Sequence, residues 1–169
     1  HLSLRTEGRT LRIDRSALRI VGDHNARNAA AALCALAALP STASKLTTPA
    51  PIEAALGSFS GLPHRVQFVR ELEGVRWYDD SKATNVHAAA TGIRTFSERL
   101  VIIAGGVEKG LDLHPLFDAI DARRSHLIAI GEVRDRLAAE APSSLATTTA
   151  NSLADAVREA HRSARAGDV

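Results

Sequence analysis

The feature that most limits how this chain can fold is the alternation that begins at Val66. Short apolar strands take turns with amphipathic helices from there on: VQFVREL, VRWYDD, a polar SKATN, a helix over about 87–96, then LVIIAGG. A helix near 115–123, HLIAIG, a helix over about 133–140, a weak strand at SLATTTA and a helix over 153–166 complete the series. Strands that are apolar on both faces must be covered on both, so the pattern predicts a mainly parallel, Rossmann-like α/β sheet with helices on both sides. The closing Gly167-Asp168-Val169 reads as the start of another strand.

The preceding segment has a different texture. Residues 1–21 alternate in short stretches broken by Glu7-Gly8, which predicts hairpin-like β structure. A polar start at Asp23-His24-Asn25 opens an Ala/Leu-rich helix expected over about 25–39 and stopped by Pro40. Pro51 opens a second, short helix with Ile52, Leu56 and Phe59 at helical spacing. The change at GLPHR sets an expected domain boundary near Gly61–Pro63, dividing 1–61 from 62–169. A length of 169 residues suits one domain, or the tail of one joined to most of another, and the lack of any Met, even at position 1, favours an excerpt of a longer protein.

Composition narrows the function classes. No apolar run approaches the roughly 18 residues needed to cross a bilayer, and no cationic-then-apolar leader opens the chain, which argues against membrane insertion and secretion. The single Cys34 excludes an internal disulfide and, within AAALCALAAL, is expected to be a small buried thiol. The pI of 9.1 is basic, but the positive charges are spread and only four Phe, one Trp and one Tyr are present for base stacking, so nucleic acid is not the expected partner. Of 21 basic residues only Lys45, Lys82 and Lys109 are lysines. An ammonium is a compact charge suited to tight phosphate or carboxylate pockets where a planar guanidinium does not fit, so two of these positions draw attention.

YDDSKATN, Tyr78 to Asn85, lies where a strand ends and a helix begins, the edge of an open α/β sheet at which ligands bind. Helix N-terminal amides and Lys82 favour an anion there, with Ser81, Thr84 and Asn85 as donors. The bland alternative is a capping turn. IIAGGVEKGLD repeats the arrangement with Gly105-Gly106 and Lys109, its alternative being an ordinary turn with a solvated lysine. If the two strands are neighbours, both lysines face one cleft. Asn25 and Asn28 sit three residues apart on one helix face and could read an adenine edge or simply cap the helix. Leu62-Pro63-His64-Arg65 is either a rigid hinge with an anion-binding arginine or a loop. The histidines show no ligand spacing such as HExxH, so no metal site is assigned to side chains of this chain.

Taken together, GDHNARNAAAA, GLPHRVQFV, DDSKATNVHAAATGI and IIAGGVEKGLD, in this order and at these separations, resemble the Mur ligase family of peptidoglycan synthesis, specifically its D-glutamate-adding branch. The resemblance spans almost the whole chain. It implies a cytoplasmic, monomeric, ATP- and Mg2+-dependent ligase that joins D-glutamate to UDP-N-acetylmuramoyl-L-alanine through an acyl phosphate. By the same resemblance Asn25 and Asn28 lie at the adenine, Arg65 near the nucleotide, and Asp80 at the ribose hydroxyls. Lys82 becomes the catalytic group at the transferring phosphoryl and carboxylate, Ser81 and Thr84 line the substrate, and Lys109 pairs with a D-glutamate carboxylate. Val107-Glu108 departs from the family's string and puts the shape of that loop in question. The family's GTNGKTT-like phosphate loop, its magnesium ligands and its C-terminal serine- and phenylalanine-bearing string are not in these residues. The chain therefore reads as the end of a central ATP-binding domain, 1–61, and most of a C-terminal domain, 62–169, and is expected to be inactive alone. The rival readings are a non-catalytic α/β nucleotide- or amino-acid-binding module, and a Mur-type or folylpolyglutamate-type ligase with another acceptor.

Overall fold

The structure, a computed structural model, describes residues 1–6, 9–122 and 124–169. The Glu7-Gly8 break and the expected helix end at Arg123 lie outside the described residues. The chain divides into two compact units, His1–Pro63 and His64–Val169.

In the first unit, β1 (Leu2–Thr6) and β2 (Arg9–Ile13) pair antiparallel, with Leu4 opposite Leu11. A 3-10 turn at Arg15–Ala17 follows, capped by the Asp14 carboxylate, which accepts from the Ser16 amide. Helices α1 (Asp23–Ala38), α2 (Pro40–Ala43) and α3 (Pro49–Ser58) complete the unit. Leu4, Leu11 and Ile13 form its core with Leu33 of α1 and Ile52 of α3. The buried stripe of α1 is Ala26, Ala29 and Leu33. Cys34, about 100° further round the helix, is exposed, so the expected buried thiol is corrected: the 3.6-residue period, rather than apolar company in sequence, decides which side chains enter the core.

The second unit runs β3 (Gln67–Leu72), β4 (Val75–Asp79), α4 (Val86–Ile93), β5 (Val101–Gly106), α5 (His114–Phe117), β6 (His126–Gly131), α6 (Arg134–Glu140), β7 (Ala146–Thr149) and α7 (Leu153–Ser163). β5, β6 and β7 form a parallel sheet in that order, with Val101 beside His126 and His126 beside Ala146. Alternate residues of β6 enter different clusters. Leu127 and Ala129 pack with Leu116, Phe117 and Leu137, whereas Ile128 packs with Ala156 and Ala160 of α7. Helices thus cover both faces, and this double burial is why β6 reads as an unbroken apolar run.

The hairpin departs from the sequence expectation. β3 and β4 pair antiparallel, joined by Glu73 and Gly74 at φ +52 and +75, the two left-handed residues of a tight hairpin turn. β4 is hydrogen-bonded to neither β5 nor its sheet partners, so the strands ending at Asp79 and Ala104 are not neighbours. The chain's last three residues lie between the two strands instead. Gly167 N–H donates to Gly74 O (2.8 Å) and Arg76 N–H to Asp168 O (3.1 Å) on one side. On the other, Val169 N–H donates to Arg99 O (3.1 Å) and Val101 N–H to Val169 O (2.8 Å), the pairing of a parallel strand. Asp168 locks the segment: its side chain, 8% exposed, accepts from Arg99 Nη1 at 2.5 Å and from the Arg165 amide at 2.7 Å. That second bond also diverts the backbone out of α7, which ends at Ser163 rather than continuing to Ala166.

Candidate functional site

Asp79 ends β4, and the turn that follows is built by local bonds of its own main chain and of the Asp79 side chain. Asp79 Oδ1 accepts from the Ser81 amide (2.9 Å), Ala83 N–H donates to Asp80 O (2.8 Å) and Thr84 N–H to Lys82 O (2.9 Å). Asn85, rather than Asp80, Ser81 or Thr84, caps α4, its side-chain oxygen accepting from Ala88 N–H at 2.9 Å. With capping assigned to Asn85, Ser81, Lys82 and Thr84 are left exposed on the turn.

The segment before β3 is tied to this turn. Lys82 N–H donates to His64 O (3.0 Å), and Val66 N–H donates to Asp80 Oδ1 (3.0 Å). His64 Nδ1 lies 2.7 Å from Asp79 Oδ2, and because a carboxylate only accepts, the ring proton resides on Nδ1. These bonds hold the Asp79 carboxyl down to about 2, the His64 bond contributing most and the Ser81 amide next. Arg65 stands exposed between His64 and Val66. Asp80 is half-buried, and a Cβ on Gly92 of α4 would clash with its Oδ2.

Lys109 belongs to the loop after β5, and its Nζ donates to Thr84 O at 3.3 Å. The two lysine-bearing turns therefore meet, although their strands are not paired. Gly105 at the root of the loop sits so close to β6 that a Cβ would collide with Ile130 O. Glu108, the residue that put this loop's shape in question, organises it. Its carboxylate accepts from Gly110 N–H (2.6 Å) and from Arg136 Nη1 of α6 (3.0 Å), and Arg136 Nη2 donates to Leu111 O (2.7 Å). The Glu108 carboxyl is lowered chiefly by the Gly110 amide, and the Arg136 guanidinium is raised chiefly by its bond to Glu140.

Of the residues singled out in sequence, Arg65, Asp80, Ser81, Lys82, Thr84 and Lys109 fall in this one region of the second unit. Asn25 and Asn28 belong to the first unit, in the first turns of α1, where Asn25 Nδ2 donates to Val21 O at 2.8 Å and Asn28 is exposed. His64, Asp79, Gly92, Glu108 and Arg136 were given no role at the site from sequence. For His64 and Arg136 the signal is a backbone conformation or a partner distant in sequence, neither of which a local motif displays. Among the described residues no group of three or more His, Cys, Asp or Glu side chains is placed to hold a metal ion. No helix among them is long and apolar enough to cross a membrane.

Comparison with known proteins gives the following. The family model of the Mur ligase, glutamate ligase domain, matches residues 64–169. The UDP-N-acetylmuramoylalanine–D-glutamate ligase of Geotalea daltonii is 41% identical over 165 residues, which is 98% of this chain and 35% of that protein. That of Geotalea uraniireducens is 39% identical over 165 residues, with the same coverage of 98% and 35%. Among solved structures, a murein peptide ligase from Psychrobacter arcticus 273-4 is similar over 95% of this chain and 34% of that one, at 20% identity and a TM-score of 0.49. The chain spans about a third of the length of the curated relatives it matches.

Proposed function

The chain belongs to the Mur ligase family through its glutamate ligase domain, and we propose that it is part of an ATP-dependent ligase that adds D-glutamate to UDP-N-acetylmuramoyl-L-alanine in the cytoplasm. The observation that carries the reading is the meeting of the two lysine turns, with Lys109 Nζ on the Thr84 carbonyl. In such a reaction the substrate carboxylate takes the γ-phosphoryl of ATP, and the amine of D-glutamate then displaces phosphate to form the amide. This needs positioning and charge neutralisation more than a protein nucleophile.

In this proposal Lys82 meets the phosphoryl and carboxylate oxygens, Ser81 and Thr84 line the muramoyl substrate, and Lys109 binds a D-glutamate carboxylate. Asp80 takes the ribose hydroxyls, Arg65 the nucleotide, and Asn25 and Asn28 the adenine. Magnesium, which neutralises phosphate charge in such reactions, would take its ligands from outside these residues. The exposure of Lys82 and Lys109 and the assignment of capping to Asn85 support this division of labour.

Kinetics of the complete ligase test it. Lys82→Ala is expected to depress kcat while changing substrate KM little, because its charge acts as phosphoryl transfer proceeds. Lys109→Ala is expected to raise the D-glutamate KM and leave that for ATP nearly unchanged. Loss of one member of a desolvated charge pair costs about 2–5 kcal/mol, roughly thirtyfold or more. Near-normal kinetics for both variants would overturn the assignment.

A further inference from the structure

Three bonds converge on His64: its main-chain N–H donates to Gln67 Oε1 (2.8 Å), its carbonyl accepts from Lys82 N–H (3.0 Å), and its Nδ1–H donates to Asp79 Oδ2 (2.7 Å). Two of the three go to the turn that carries Asp80 and Lys82. The backbone here is also unusual. His64 lies at φ +63 and Val66 at φ +44, so Arg65 is flanked by two left-handed residues, one of them β-branched. Such conformations are costly for residues other than glycine and persist only where the surroundings over-determine them. The surroundings are the contacts to Asp79, Asp80 and Lys82. A purely structural role accounts poorly for this ring, because the side chain is 54% exposed and contributes little to a core.

We propose that His64 is a positioning residue: its imidazole braces Asp79, so that the turn bearing Asp80 and Lys82 and the backbone at Arg65 hold one geometry before any ligand arrives. The ligand half of this inference rests on the ATP reading above; the brace itself does not. The Asp79 carboxylate, held down to about 2, stays ionised throughout the neutral range, so the acceptor of the brace is always present there.

Three substitutions separate the ring from the backbone. Asn tolerates a left-handed φ and offers an amide donor close to the position of Nδ1, Gly tolerates the φ but offers no donor, and Ala offers neither. ATP affinity and hydrogen exchange of the Lys82 amide are measured on the 169-residue chain. H64N is expected to keep ATP affinity within about twofold, whereas H64G should lose about tenfold and exchange the Lys82 amide at least tenfold faster, and H64A at least as much. H64G matching the unsubstituted chain in both readouts would overturn the brace. Should the unsubstituted chain give no ATP response, the nucleotide reading is left to the kinetics of the complete ligase and exchange alone decides the brace: faster in H64G than in H64N supports it, equal rates overturn it.

Discussion

The turn that carries Lys82 and the loop that carries Lys109 both follow a strand and both present an ammonium, but they are held by different means. The first is zipped to residues 64–66 by main-chain donors, by the Asp79 and Asp80 carboxylates, and by a histidine ring. The second is exposed from Gly105 to Gly110 and is gripped from outside by Arg136, which reaches over from α6 to Glu108 and to Leu111 O. Main-chain bonds are short-ranged and indifferent to ionic strength, whereas exposed ion pairs are screened. The Lys82 turn thus depends less on ionic strength, and the Lys109 loop is the adjustable half of the pair.

The strongest way to break this contrast is at the root of the adjustable loop. Gly105→Ala would drive a methyl into Ile130 O, and because the obstacle is backbone the strands must separate. Overpacking that moves backbone lies at or beyond the upper end of the usual range, so a loss of about 3 kcal/mol or more is expected in urea denaturation. A loss below about 1 kcal/mol would mean that the loop is loose down to its base.

Gly92→Ala probes the first turn instead. Within α4 alanine gains up to about 1 kcal/mol in helix propensity, but its methyl displaces the Asp80 carboxylate that Val66 N–H donates to. Stability is expected to stay within about 1 kcal/mol while ATP affinity falls about tenfold, the latter following from the reading of Asp80 as a nucleotide contact. Titration calorimetry beside a denaturation curve checks the split, and unchanged affinity would detach Asp80 from the nucleotide.

Arg136→Ala should cost little stability, since its pairs are surface pairs, and it should speed exchange of the Gly110 amide. Salt sharpens the contrast: near 1 M the Debye length is about 3 Å, and the difference between original and variant should shrink. A difference that ignores salt would place the grip in packing of the arginine stem.

The smallest effect concerns acid. Asp79 titrates at about 2 in the folded chain against an ordinary 3.8, so its contribution is fully present above 3.8 and is lost as pH falls from there towards 2. The stability gap between the original and Asp79→Asn, under about 1 kcal/mol for so exposed a pair, should be flat above pH 5 and close below about 3.8. A gap independent of pH would remove the carboxylate from the brace.

Much of this was legible in sequence. β5 and β6 are covered on both sides, so they read as apolar runs, and both lysine turns were found because each follows a strand and carries one of only three lysines. The β3–β4 hairpin was not legible as one. Its turn is Glu73-Gly74, and glutamate is not among the residues that announce two consecutive left-handed positions, whereas Asn-Gly or Asp-Gly would have. The supports of the site escaped for a related reason. His64 acts through a φ of +63 and a partner fifteen positions on, and Arg136 through a loop 25 residues away, separations that no local motif spans.

Gly167–Val169, paired with the hairpin on one side and with β5 on the other, also set a timetable. The β3–β4 hairpin is a local structure that closes in about 1–10 μs once its residues exist, and the parallel pairs must wait for their intervening helices. The bonds that tie hairpin to sheet need residues that follow α7, and at about 5–20 residues per second on the ribosome they arrive seconds after Lys82 has emerged. Throughout that interval the edges of β4 and β5 stand unpaired. The nascent chain is then most open to pairing with the wrong strand, and Asp168, by anchoring the last segment on Arg99, ends the exposure.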